Sequence, residues 1–422
     1  MIDRDRYSRL LAIPDYPADK VINSLIIVGG VGALGNELVK NLCLLGFRHI
    51  FVVDLDRVEP SNLTRSVLFR EADCGQPKVA AAAKGGKEIN KETNFYIHDG
   101  DIADVGLGVF RRASLIFSDF DDLYPRYIIN AVATKLGKVW IDAYLGFKPY
   151  GGGVAVYDGA DARAPCYVCH TGIQTYRETF NTVQDREGCQ VKERDRTKQG
   201  FLPTTPTTCS VIAGLQAQAG LHYLLMGNSP DNQWLSKLFH LDILTVTSRI
   251  EKSVTRSKCP FHPPADRIIS DNFVSLNGHN SSTTRLSELF QIARENFPIQ
   301  KSNAIYLQLS RQMVLYESCM TCQREIERFQ SVVSIVRDRK KGRIALCPYC
   351  GSETLSFHPL YGVTTLLDES MPFQSYSLKQ LGLPSLDILT ILEEKEDDYM
   401  YYFLEMNGDC VKILPGFSSV EV

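Results

Sequence analysis

No run in this 422-residue sequence stays apolar long enough to span a bilayer. The best, 24–47, is interrupted by Asn36, Glu37, Lys40 and Asn41, which excludes a membrane span there. An excess of charge is missing too: a net charge of -3 gives no general electrostatic reason to bind nucleic acid or an anionic membrane. Where a secretory leader needs an apolar core, the first ten residues carry Asp3, Arg4, Asp5, Arg6 and Arg9, so a cytoplasmic location is expected. Histidines are few, and His98, His170, His222, His240, His279 and His358 are scattered without forming a triad. Repeats and low-complexity tracts are absent. With 44% apolar and 23% charged residues, the chain reads as globular, of about two to three domains.

Cysteine is what the sequence has in quantity. Twelve thiols without a leader are expected to be reduced, so their spacing points to metal or nucleophile rather than disulfide. Cys319-Met320-Thr321-Cys322 and Cys347-Pro348-Tyr349-Cys350 are two knuckles at zinc-ribbon spacing, with Lys340, Lys341 and Arg343 expected on a solvated hairpin tip between them. The ribbon suggests a rigid module for docking a protein. Cys166-Tyr167-Val168-Cys169 is a third knuckle, which lacks two ligands of a tetrahedral set. Cys43 falls on the apolar face of a helix and belongs in the core; Cys74 reads as a small buried side chain, and Cys410 has no partner motif. Cys189 lies among Arg186, Lys192, Arg194 and Arg196, cations that lower a thiol pKa and favour a nucleophile. Cys209 is its rival, because it opens a helix whose N-terminus has the same effect.

Between residues 21 and 157, short apolar runs alternate with helical periodicity. Strands are expected at 25–28, 49–53, 115–117 and 138–141, and helices at 34–47 and 128–136. This order predicts an α/β fold: a doubly wound, mostly parallel, Rossmann-like sheet. The polar stretch 171–200 reads as a solvated loop, and an apolar helix follows at 210–225. His262-Pro263-Pro264 and the polar residues 277–284 mark a border. Beyond it a smaller α+β domain carries the ribbon, and Glu393 to Asp398 reads as a solvated turn. The expected domains are 1–265, including a crossover loop at about 171–205, and 266–422.

Gly30-Val31-Gly32-Ala33-Leu34-Gly35 joins the first strand to the first helix, the context in which a glycine loop offers backbone N–H groups to a phosphate. Asp54 ends the second strand, where a carboxylate can take a ribose hydroxyl. Those features alone suit an NAD-dependent oxidoreductase. The next residues argue against it: Arg65 and Lys78 bring two cations to the same crevice, as a triphosphate under attack at its α-phosphorus requires. Asp121 and Asp122, after another strand, can carry Mg²⁺.

Over about residues 5–265 the ordered set of motifs resembles the ubiquitin-activating-enzyme (E1-like) adenylyltransferase superfamily. This superfamily includes the ThiF- and MoeB-type activators of sulfur-carrier proteins. The compact single adenylation domain is most similar to noncanonical or bacterial ubiquitin-like-protein activators. Arg6-Tyr7-Ser8-Arg9 matches the element whose last arginine, here Arg9, enters the partner subunit's ATP site. Gly30, Gly32 and Gly35 match the nucleotide loop. Asp54, Asp56, Asn62 and Arg65 match the next element, with Ser66 where the family has Gln. Gly75-Gln76-Pro77-Lys78-Val79 is intact and assigns Lys78; Asp121-Asp122 with Arg126 matches the element whose Asp holds Mg²⁺, with Asp122 replacing Asn. The resemblance also implies that Cys259 and His262 complete a structural zinc site with Cys166 and Cys169, and that Cys189 sits in the crossover loop.

The function so implied is ATP-dependent adenylation of the C-terminal carboxylate of a ubiquitin-like protein. A thioester on Cys189 and transfer to a conjugating, E2-like enzyme would follow, with ATP, Mg²⁺ and two structural Zn²⁺ as cofactors and a homodimer as the assembly. The alternatives are a sulfur-carrier adenylyltransferase without the cysteine step, a small-molecule or tRNA adenylyltransferase, an NAD-dependent oxidoreductase and a non-catalytic scaffold.

Overall fold

The computed structural model describes all residues except 1–2, 147–149, 185–203, 257, 263–266, 269, 341–343, 354, 358–362, 397 and 418–422. Two short helices, α1 (Ser8–Leu11) and α2 (Ala18–Asn23), precede an eight-stranded sheet ordered β3-β2-β1-β4-β5-β6-β7-β8. Its strands are β1 (Leu25–Gly29), β2 (His49–Asp54), β3 (Asn94–Asp99), β4 (Ala113–Ser118), β5 (Val139–Leu145), β6 (Gly151–Asp158), β7 (Lys237–Asp242) and β8 (Thr247–Lys252). The first five in spatial order are parallel, as the alternating strands and helices predicted. From β5 onward the pairing is antiparallel, so the sheet is mixed.

Strand alternation distributes the core. Ile26 and Val28 face one side, where α3 (Ala33–Leu45), α4 (Lys78–Ile89) and α9 (Pro206–Met226) pack. Leu25 and Ile27 face the other, with α5 (Leu107–Arg112), α6 (Leu123–Leu136), α7 (Tyr167–Thr171) and α8 (Ile173–Gln184). Helix α9 begins at Pro206, earlier than the apolar periodicity indicates. Thr205 accepts the Thr208 N–H at 3.1 Å and Pro206 takes the first helical position, where its missing N–H does no harm. The polar stretch after residue 171 is not wholly a loop, since Ile173 and Tyr176, three apart on α8, pack on the core.

A second sheet holds β9 (Phe273–Leu276), β10 (Ile305–Cys319), β11 (Glu325–Ser331), β12 (Leu355–Ser356), β13 (Val363–Asp368), β14 (Ile388–Glu394) and β15 (Tyr399–Met406). Helix α10 (Leu286–Asn296) covers its separate core, and α12 (Cys410–Ile413) returns the chain to the first sheet. Between the ribbon knuckles the chain holds β11 and α11 (Val332–Lys340), where Val332 and Ile335 pack helically against Val314. The solvated tip expected at Lys340, Lys341 and Arg343 falls mostly on residues 341–343, which lie outside the described residues. One expectation is corrected here. Glu393 is not solvated but buried, accepting the Gln300 N–H at 3.1 Å and the Tyr402 hydroxyl at 3.0 Å.

Candidate active site

The glycine loop crosses the carboxyl end of the sheet between β1 and α3. Gly30 has φ +86°, and a Cβ on Gly35 would lie 2.0 Å from the Gly30 carbonyl oxygen, so both positions need glycine. A Cβ on Gly32, the α3 N-cap, would meet open space, and no side chain caps the helix. The first N–H groups of α3 are thus free to face an anion. Asn36, which interrupts the apolar run on α3, is fully buried. Its amide donates to the Val31 carbonyl at 2.6 Å, and its Oδ1 accepts the Leu68 N–H at 2.9 Å, binding the loop to the segment that carries Arg65. Sequence reading passed over this residue; a lone Asn on an apolar helix face was its signal.

Asp54 is 8% exposed and receives the Val31 N–H at 2.8 Å and the Asp56 N–H at 2.9 Å. Burial raises its carboxyl, opposed first by the Lys78 charge and then by those N–H groups. Lys78 opens α4, and its ammonium is 3.2 Å from Asp56 Oδ2. Burial alone would lower the ammonium, but Asp54, Asp56 and Asp121 together raise it, so it stays charged. Asp54, Asp56, Lys78 and Asp121 therefore converge on one place. Asn62 accepts the Glu59 N–H at 3.0 Å, and Arg65 donates to the Ser61 carbonyl at 2.8 Å. The Arg65 charge also acts on Cys209, which places it near the start of α9.

Asp121 is exposed on a braced turn. Before it, Asp119 N–H donates to the Gly29 carbonyl at 2.8 Å and Arg126 to the Phe120 carbonyl at 2.6 Å; after it, Asp122 caps α6 by accepting the Tyr124 N–H at 3.3 Å. Gln216 of α9 ties the same region together, donating to the Ser118 and Ile141 carbonyls at 3.2 and 3.1 Å. Arg9 stands apart. It is exposed on α1, whose neighbours Arg6 and Tyr7 bind Ile89 and Asn90 at the far end of α4. The 13-residue α3 also separates that end from the glycine loop by about 20 Å, so Arg9 is outside its own chain's crevice.

Cys166, Cys169, Cys259 and His262 form one cluster and Cys319, Cys322, Cys347 and Cys350 another, with the ligand atoms of each within 4.8 Å of one another. Sulfur separations are 3.6 and 3.9 Å in the first and 3.6 and 3.7 Å in the second. Four sulfurs held about 2.3 Å from one zinc stand about 3.8 Å apart. His262 Nδ1 is 3.0 Å from the Ala162 carbonyl, while its Nε2 is buried without a hydrogen-bond partner among the described residues, as a metal-binding nitrogen would be. Both sets fit zinc and leave no open position. Of the two candidate nucleophiles, Cys189 lies outside the described residues. Cys209 is 0% exposed and packed in the core, and burial pushes its thiol up.

Residues 7–261 match the family model of the ThiF family. The chain belongs to the ThiF family. Within the E1-like adenylyltransferase superfamily, this ThiF chain is 31% identical over 168 residues to SUMO-activating enzyme subunit 2 of Dictyostelium discoideum, covering 39% of this chain and 25% of that protein. It is 34% identical over 217 residues to adenylyltransferase and sulfurtransferase MOCS3-2 of Zea mays (50% and 41%). It is 25% identical over 244 residues to ubiquitin-like modifier-activating enzyme 5 of Rattus norvegicus (53% and 57%). The ThiF chain thus spans between a quarter and about three-fifths of these relatives. Among solved structures, E. coli MccB with AMPCPP and MccA is 21% identical at a TM-score of 0.47, covering 61% of this chain and 74% of that one. No helix among the described residues is long and apolar enough to cross a membrane.

Proposed function

We propose that this protein adenylates the C-terminal carboxylate of a ubiquitin-like protein and then carries it as a thioester. The observation that carries the reading is the convergence of Lys78, three aspartates and the uncapped start of α3 on one crevice. A dinucleotide needs only the loop, whereas a triphosphate with its divalent cation needs both the ammonium and the carboxylates. In this reading the α3 N–H groups and Lys78 hold the phosphates, Asp54 takes the ribose, and Asp121 with Asp56 faces the cation. Mg²⁺, when bound, neutralises phosphate charge. The substrate carboxylate is already an anion and needs no general base. Its oxygen bonds to the α-phosphorus as the bond to pyrophosphate breaks, and Arg65 faces the charge that develops. The thiolate of Cys189, formed by loss of its proton to solvent, then attacks the acyl carbon and releases AMP; the burial of Cys209 supports this choice. Residues 1–265 form the adenylation domain, 171–205 its crossover, and 266–422 a docking domain for a conjugating enzyme.

The deciding experiment is ATP–pyrophosphate exchange with candidate ubiquitin-like proteins. Partner-dependent exchange is expected, together with a reducible protein adduct lost in Cys189→Ala. Absence of ATP binding and exchange with every partner would sink the reading, and an adduct lost only in Cys209→Ala would reassign the nucleophile.

The position of Arg9 leads to a second expectation, a homodimer with shared sites. Arg9→Ala and Lys78→Ala should each reduce exchange to about one per cent or less, yet a re-equilibrated equal mixture should regain about a quarter of wild-type activity through mixed dimers. A mixture as inactive as its components would exclude sharing. Metal analysis should find two zinc ions per chain, falling to one in Cys169→Ser, and chelation should lower the melting temperature. A wild-type zinc content of zero would refute both assignments.

A further inference from the structure

The second-sheet domain reaches the carboxyl edge of the first sheet through two arginines. Arg311 on β10 donates to the Ala103 carbonyl at 2.8 Å and pairs with Asp104 at 2.6 Å. Arg337 on α11 pairs with Asp101. Residues 101–104 follow β3, so they sit on the same carboxyl edge of the sheet as the glycine loop and Asp54. The turn Ile102–Asp104 packs against α6, and α11 packs against α8, which leads into the crossover. Tyr124, in the first turn of α6, lies inside the charge cluster: burial foremost, then Asp101, raises its hydroxyl, and Arg311 and Arg337 oppose the shift. Its N–H is the one that Asp122 caps, immediately after Asp121.

We propose that Arg311 and Arg337 are positioning residues for the nucleotide site, holding the 101–104 turn against Tyr124 and the start of α6, and so fixing Asp121 where it faces the cation. The inference rests on the adenylation reading. It gives the ribbon-bearing domain a part in adenylation that docking a partner alone would not require. The physical basis is geometric. Asp121 is exposed and, among the described residues, its carboxylate makes no hydrogen bond, so its position depends on the backbone on either side. Arg126 fixes the preceding carbonyl, and the interdomain cluster fixes the following helix turn.

The test uses the full-length, zinc-loaded protein carrying Arg337→Ala, Arg311→Ala, both together, or Tyr124→Phe. Arg294→Ala, which removes contacts with Glu369 and with the Gln300 and Asn303 carbonyls within the same domain, is the control. Two quantities are read: binding of a non-hydrolysable ATP analogue as Mg²⁺ is titrated, and amide hydrogen exchange over 119–124. The double variant should need about three- to thirty-fold more Mg²⁺ for half-saturation, with unchanged analogue affinity in EDTA and faster exchange over 119–124. An unchanged Mg²⁺ requirement would overturn the proposal, as would an equal shift in Arg294→Ala, which would mean general destabilisation. If the double variant fails to fold, Tyr124→Phe and the single variants carry the same comparison. If the wild type binds no analogue, the adenylation reading fails by itself; exchange over 119–124 still shows whether the arginines order the turn.

Discussion

Replacing Lys78 by alanine is expected to lower ATP–pyrophosphate exchange about a hundred- to a thousand-fold, the usual effect of removing one preorganised charge from a developing oxyanion. The ammonium is mostly buried and raised by Asp54, Asp56 and Asp121, so it is charged at every working pH. Its loss leaves the carboxylates of Asp54 and Asp56 close to the proposed phosphate site without the ammonium that offsets their charge. Repulsion should therefore weaken ATP binding as well as slow the chemistry. Lys78→Arg should recover only part of the rate, because a planar guanidinium cannot sit as a point charge over Asp56. Exchange within threefold of wild type in Lys78→Ala would place the phosphate site elsewhere.

The largest stability effect is expected between the two sheets. Glu405 on β15 is 0% exposed and accepts from Arg111 at 2.8 Å, from Arg112, and from Ser275 at 2.7 Å. Glu405→Ala strands two guanidinium groups, one of them buried, and should cost about 3–5 kcal/mol in urea unfolding. A loss under 1 kcal/mol would show that the arginines find other partners. The sign with pH follows from the same contacts. Burial alone would raise the Glu405 carboxyl, but hydrogen bonds from Arg111 and Arg112 hold it below the ordinary glutamate range. Its contribution is thus fully present above that range and lost as pH falls through the lowered value, and Glu405→Gln should remove this acid sensitivity.

Both expectations depend on tertiary placement, and sequence reading reached them unequally. Lys78 was legible because its motif sits at a helix start beside a glycine loop, where local chain geometry delivers the side chain to the crevice. Glu405 was not. Its arginine partners are nearly 300 positions away, at separations of 294 and 293, and no local pattern encodes that pairing. β3 was missed because it is a mostly polar edge strand, with Phe95 half-buried against α4 and Ile97 exposed; β6 was missed because Gly151 to Gly153 carry no apolar pattern into a fully buried strand. Helix α8 was overlooked because polar and charged residues outnumber the apolar ones along it, although Ile173, Tyr176, Phe180 and Val183 recur in the sequence at helical spacing.

By itself the sequence determined four of the five parallel strands of the first sheet, the glycine loop with its cations, and both cysteine quartets as candidate metal-ligand sets. These depend on spacing within one or two elements, or on motifs whose order the family resemblance supplied. Only the tertiary structure decided that Cys209 is core, that Arg9 lies outside its own crevice, and that the ribbon-bearing domain is fastened to the first sheet by buried ion pairs. Those outcomes turn on which distant surfaces exclude water together, and burial between remote segments leaves no local period in a sequence.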